Sequence, residues 1–374
     1  MNPPSLFGVG SFFISPDGPF PYQFSGREHM DRIRHALEHL PNLNEVSLTY
    51  AREFDSTEFE LTQPLPTIAE EVGFYPRAPH MRLEFRLDLP MRIQQELAGA
   101  WLYKGQSPRT NTESFHLSMR QLYHAAVVFV RSIDPTPRNA PSDAVAVVRE
   151  FFSDAFERTE HLRFECLGPS PFHADFFVRP GEESEESKAF ASTRSVRLGY
   201  DRVEYLYDPS LFQSSEEACD AIYDAIQYSL DFYYHLEQVE QSELLNFEKL
   251  NDLVSALVSM EEKSGLTGYW SRLTSGGLRS KALMRLAELE ADRTYRAVPT
   301  LRTFRRLASE DENSGVLPDI EDLVQRPLEL PLSQTERLLR LFESRRSAAL
   351  QSLVASVSGI VGVGIGALLS ALLS

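Results

Sequence analysis

Two histidines one helical turn apart with a glutamate between them, His35, Glu38 and His39, form an H-x-x-E-H sequence. At this spacing two imidazoles can share a zinc ion while the carboxylate takes a proton from metal-bound water. The chemistry would be hydrolysis, and it would need a further acidic ligand from another element. The helix that carries these residues favours a plainer reading. Met30, Ile33, Leu37 and Leu40 make its apolar stripe and leave His35, Glu38 and His39 with Arg32 and Arg34 on the solvent side. No catalytic residue, metal ligand or cofactor is assigned from this motif. Cys166 near His173 would suit a thiol nucleophile, but a small buried cysteine is the commoner case. Cys219 falls in a different element, so a disulfide framework is not indicated. The chain has no G-x-S-x-G elbow, no Walker A loop and no paired C-x-x-C motifs.

A second set of residues suits binding rather than turnover. The chain carries a net charge of −17, which argues against wholesale binding of duplex nucleic acid. Between residues 272 and 306 the sign reverses: Arg272, Arg279, Lys281, Arg285, Arg293, Arg296, Arg302, Arg305 and Arg306 stand against Glu288, Glu290 and Asp292. Such a face could meet anionic lipid, pair with the acidic surface of a neighbouring subunit, or hold a nucleotide or single strand. Tyr269, Trp270, Tyr295 and Phe304 are near enough in sequence to stack. Ion pairing within or between subunits is the default for such a stretch.

A third set lies in residues 347–374, which hold no charge over a length that exceeds the roughly 20 apolar residues needed to cross a bilayer. Here Ser358, Gly362, Gly366, Ser370 and Ser374 recur at every fourth position and form one face of small residues, of the kind that lets helices touch. Arg345 and Arg346 flank the segment on its N-terminal side, which by the positive-inside rule puts the body in the cytoplasm. These features predict a single-pass helix in the inner (cytoplasmic) membrane, in contact with lipid and self-associating, with Ser358, Gly362, Gly366 and Ser370 lining a helix contact or narrow pore.

The elements that must position these residues follow from patterning. Strands are expected over 45–50, 80–87, 125–130 and 195–200, where β-branched and aromatic residues alternate with polar ones. Helices are expected over 27–40, 91–99 and 142–158. This predicts an α+β domain with a mixed or mostly antiparallel sheet over residues 1–212, with the acidic run at 181–187 as a solvated loop. Long helices and a linker follow over 213–330. Beyond Pro331, Ser333 and Glu336 make a capping box that starts a stalk and C-terminal helix over 331–374. Hydrophobic residues at 42%, charged residues at 24% and a negative mean hydropathy exclude a polytopic membrane protein. Lysine occurs only at 104, 188, 249, 263 and 281, the arginine bias of a GC-rich bacterial genome. The N-terminus lacks the basic region of a secretory signal.

This order of parts, a sheet domain, then helices such as that containing residues 218–228, then a stalk meeting the membrane at Arg345 and Arg346, resembles the layout of CorA-type oligomeric channels. The Gly-Met-Asn signature and second span of that family are absent, so magnesium transport is not carried over. The plan is also similar to that of bacterial anti-phage membrane effectors of the Hailong type. That resemblance implies a non-enzymatic homo-oligomer whose body holds its membrane helices inactive until a signal arrives, after which ions leak, with a partner protein from the same operon among its expected contacts. The alternatives are a tail-anchored scaffold and a membrane-tethered zinc hydrolase using His35, Glu38 and His39.

Overall fold

The computed structural model describes residues 5–65, 80–98, 110–122, 124–134, 140–167, 174–181, 189–196, 201–310 and 315–373, with 359–373 described by backbone alone. Its strands are β1 (Ser5–Pro16), β2 (Tyr22–Ser25), β3 (Leu43–Tyr50), β4 (Glu58–Leu61), β5 (Met81–Asp88), β6 (Ser114–Gln121), β7 (Ala126–Ser132), β8 (Leu162–Cys166), β9 (Ala174–Pro180), β10 (Phe190–Ser195) and β11 (Asp201–Tyr207). The helices are α1 (Gly26–His39), α2 (Met91–Ala98), α3 (Pro141–Phe156), α4 (Ser215–Glu261), α5 (Gly265–Thr274), α6 (Gly276–Glu310), α7 (Leu317–Gln325) and α8 (Leu332–Leu373). The α+β class expected from patterning is found. The strand expected over 195–200 falls between β10 and β11, and its residues 197–200 lie outside the described ones, as does most of the acidic run at 181–187.

Two compact units divide the chain, one of residues 1–241 and 301–327, the other of 242–300 and 328–374, so α4 and α6 each contribute to both. The first unit is built on a mixed sheet in the order β10-β11-β9-β1-β7-β6-β5-β3, antiparallel except where β9 and β11 run parallel. Strand β1 is long enough to serve three partners: its first half lies between β7 and β9, and from Phe12 onward it pairs with β8.

Period-2 alternation assigns the two faces. On β1, Phe7 meets the ring of Phe176 at 5.0 Å and that of Tyr223 of α4 at 5.0 Å, which puts α4 on this face. Gly8 and Gly10 point to the opposite face, where a Cβ at Gly8 would lie 2.4 Å from Val145 Cγ2 and 2.5 Å from the Pro141 carbonyl, so only glycine admits α3 there. Helix α1 lies on the α3 side. Its start is fixed by a capping box in which the Glu28 N–H donates to Ser25 Oγ (3.2 Å) and the Ser25 N–H to Glu28 Oε2 (2.8 Å).

In the second unit α4, α6 and α8 bury Leu250, Val254, Leu257, Ala282, Leu286, Leu289, Leu339 and Phe342, at the i, i+3/i+4 spacing that makes one stripe per helix. The structure corrects the expected membrane span. Residues 331–373 do form one long helix, α8, apart from Pro331 itself, but among the described residues no helix is long and apolar enough to cross a membrane. The described part of the expected span, 347–358, carries Gln351 and four serines, and Ala349 is buried with its carbonyl accepting a hydrogen bond from Tyr269 Oη (2.8 Å). Single-pass anchoring in the inner membrane, and the transmembrane channel or pore with it, is therefore not found.

His29 of α1 is 8% exposed, and burial, followed by the nearby Arg32 charge, lowers its pKa to about 4. Because the unfolded chain then binds the proton more readily, the neutral ring's contribution is fully present above about pH 6.5 and is lost as pH falls toward 4, amounting to about 3 kcal/mol. His29→Leu should remove that part of the acid sensitivity, read as a smaller drop in urea midpoint between pH 7 and 4.5.

Candidate functional site

His35 and His39 line a cavity of about 710 Å³ between the C-terminal ends of α1 and α3, together with Arg32, Asp154, Arg158 and His161. Their rings are 4.0 Å apart, and His39 Nδ1 lies 2.7 Å from the His35 carbonyl, which can only accept, so Nδ1 carries the proton in this geometry. Glu38 is exposed and is not part of this lining. Among the described residues no group of three or more His, Cys, Asp or Glu side chains is placed to hold a metal ion. Among the described residues the pair thus has no third donor of a zinc hydrolase site.

The basic stretch is largely neutralised by neighbours. Arg285 pairs with Glu288, Arg296 with Asp292, Arg293 with Glu243 and the Leu328 carbonyl, and Arg279 with Glu343. Lys281, Arg302, Arg305 and Arg306 are exposed. Arg345 reaches Glu261 (3.4 Å) and Arg346 Nε donates to the Leu273 carbonyl (3.3 Å), so both arginines have roles inside the helical unit. Ser358 is exposed, while Gly362, Gly366 and Ser370 are described by backbone alone. Cys219 is fully buried and burial pushes its thiol up to about 12, which leaves no thiolate at neutral pH; His173, its proposed counterpart for Cys166, lies outside the described residues.

A site that patterning did not single out lies on the α4 side of the sheet. Helix α4 covers the aromatic half of that face, where Phe129 stacks on Tyr223 at 4.0 Å. Beyond β7 the same face turns polar. Alternate residues of β5 are Arg82, Glu84, Arg86 and Asp88, opposite Arg120, Ser118, His116 and Ser114 of β6. Their β5 neighbours Met81, Leu83, Phe85 and Leu87 are buried on the other face. Arg82 and Arg86 remain 41% and 40% exposed, so this half of the sheet lies beside α4 rather than beneath it.

Arg120 sits at the border of the two halves and is only 2% exposed. Its guanidinium carbon lies 5.7 Å from the ring centres of both Phe129 and Tyr223. Nε donates to Ser118 Oγ (3.3 Å), and Nη1 donates to Asp224 and to Gln227 Oε1 (3.3 Å) of α4. Nη2 is buried with no partner. Arg120 lines a cavity of about 360 Å³ with Tyr50, Arg82, Gln121, Gln227 and Tyr228 among its other walls. Arg82 stands directly opposite in register and is held by Glu84 (2.6 Å).

The surrounding groups show the same enclosed electrostatics. Burial, then the Arg131 charge, holds the His116 imidazole below its ordinary value, while burial, then Glu84, pushes the Asp220 carboxyl up. Desolvation acts to raise Asp88, but bonds from Ser114, Arg86 and Asn44 together bring its carboxyl below the usual range. Two guanidinium groups, one deep and one at the mouth, with amide and phenol walls, can grip a planar anion by charge-assisted bonds.

A double-mutant cycle tests whether Asp224 compensates Arg120. Asp224→Ala should cost about 1–3 kcal/mol, because it strips a buried cation of its carboxylate, whereas the same change made in an Arg120→Met background should be nearly neutral. Urea unfolding of the four proteins reads the coupling. No family model matches the chain, and no curated protein or solved structure shows significant similarity to it.

Proposed function

We propose that the first unit is a ligand-binding sensor rather than an enzyme, and that the cavity between β5, β6 and α4 takes a small organic acid. The observation that supports this most directly is Arg120: a guanidinium 2% exposed whose Nη2 has no acceptor. An unmet buried donor costs about 1–3 kcal/mol and a buried charge more, so such a group calls for a counterpart. Asp224 is a partial one, since its side chain is 58% exposed and engages Nη1 alone. A ligand carboxylate would take the unpartnered edge of Arg120 with Arg82 closing over it, while Tyr228 offers apolar surface to the remainder of the molecule. The size suits a compact metabolite, at the lower end of ligand cavities of roughly 300–1,000 Å³.

Binding of this kind stabilises the folded chain by mass action, about 2.7 kcal/mol at a hundredfold excess over Kd. Screening the full chain against small mono- and dicarboxylic acids should yield members that raise Tm by roughly 5 °C. Arg120→Met fills the space beside Phe129 and Tyr223 with apolar atoms and leaves Asp224 solvated, so it should fold; with Arg82→Gln as a second variant, the shift should vanish in both. A carboxylate that stabilises wild type and both variants equally would sink this reading.

A further inference from the structure

We infer that the start of α6, in the helical unit, is a binding site for a phosphate group, free or as a monoester. Helix α5 ends at Thr274 and α6 begins at Gly276, with Ser275 between them. The first bond in the new helix is from the Arg279 N–H to the Ser275 carbonyl (3.0 Å), so the N–H groups of residues 276–278 precede the helical ladder. A helix of 35 residues presents these groups with the positive end of its dipole, the arrangement that favours an anion.

A helix start alone would not define a ligand; Arg279 does. It is 6% exposed, and its Nε and Nη1 have no partner. Only Nη2 is engaged, by Glu343 at 3.4 Å, and that carboxylate is 53% exposed. Side chains in a helix lean toward its N-terminus, so a group at position 279 is directed back at the first turn.

The two glycines then have different tasks. A Cβ on Gly276 would sit 2.7 Å from Arg346 Nη2 and 2.8 Å from its Cζ, which places a second guanidinium directly against the helix start. At Gly277 a Cβ would meet nothing within 4 Å, so the approach on that side is open. Charge is also out of balance here. Arg272 and Arg345 share Glu261 (3.1 and 3.4 Å), leaving Glu343 alone for Arg279, while Arg346 pairs with no carboxylate among the described residues. Backbone N–H groups, a second guanidinium against Gly276 and, three residues on, a buried guanidinium with two unpartnered donors are together the donor set a tetrahedral oxyanion takes up.

The test is titration of the full chain with inorganic phosphate, and in parallel with phenyl phosphate, followed by calorimetry. Saturable binding at this locus is expected; a tighter ester identifies an esterified ligand, and equal affinities identify free phosphate. Arg279→Gln should weaken binding at least tenfold. Gly277→Asp is the decisive variant, because open space receives the side chain and an acidic group in a first helical turn is favourable to the fold, yet it sets a negative charge where the anion must sit. It should keep or raise Tm and still lose phosphate at least tenfold. Arg82→Gln, in the other unit, should bind phosphate as wild type does, which separates this site from the carboxylate cavity. Absence of saturation up to about 10 mM phosphate, a concentration corresponding to less than ~3 kcal/mol of binding, would overturn the assignment. So would Gly277→Asp and Arg279→Gln titrating like wild type.

Discussion

Strand β1 sits at the middle of the sheet with an aromatic side chain on one face and almost nothing on the other, and both helical layers of the first unit are set by that asymmetry. Phe7 touches the rings of Phe129, Phe176 and Tyr223, contacts worth about 0.5–1.5 kcal/mol each beyond the area they bury. Gly8 and Gly10 let α3 approach until Val145 fills the volume a side chain would need. Because β1 also pairs with β7, β8 and β9, its register fixes theirs, and a one-residue slip would exchange the phenylalanine for the glycine on both faces at once.

The same asymmetry explains why a polar furrow exists. Helix α4 is held by aromatic contacts to β1, β7 and their neighbours, and one helix is only about 10 Å wide, so it does not reach across a sheet of this breadth. The outlying strands β5 and β6 must then solve their exposed face with charge. Arg120 is where the two solutions meet: its aliphatic stem and the flat of its guanidinium lie among Phe129 and Tyr223, while its N–H groups turn toward Asp224 and Gln227. Acidic residues recur along α4 at Glu216, Asp220 and Asp224, one per turn, facing basic residues of the sheet. That row of opposite charges leaves the guanidinium of Arg120 compensated on one edge only.

Much of the first unit was legible in the sequence. The strand patterns over 80–87 and 125–130 located β5 to within one residue and β7 to within two, and the change to helical spacing after residue 208 follows the end of β11 at Tyr207. The polar face of β5 was legible too, since Arg82, Glu84, Arg86 and Asp88 are four alternate charged residues in one strand, yet alternation by itself says only that a face is solvated; that a helix runs alongside it is a tertiary fact. His35 and His39 were correctly placed on the outer side of their helix, and the structure adds that Glu38 turns away from the cavity they line. The C-terminal helix was read by composition, which sees the absence of charge in residues 347–374. Composition does not see that Ala349 and Phe342 pack into a bundle, or that Arg345 and Arg346 have partners in α4 and α5.

Counting charges does not rank the basic residues of 272–306, for a related physical reason. An exposed arginine with a carboxylate one turn away, as in Arg285 with Glu288 or Arg296 with Asp292, sits in high dielectric where such a pair contributes a few tenths of a kcal/mol and is screened by salt. The number of such residues therefore says little about where an anion binds. Arg120 and Arg279 are each a single charge, but both are more than nine-tenths buried and both keep donors that nothing in their own unit satisfies. In a low-dielectric setting a donor without an acceptor is expensive, and an acceptor delivered there gains correspondingly more. The net charge of −17 is a sum over the whole chain and does not describe these two places, where a guanidinium under protein atoms keeps donors without acceptors.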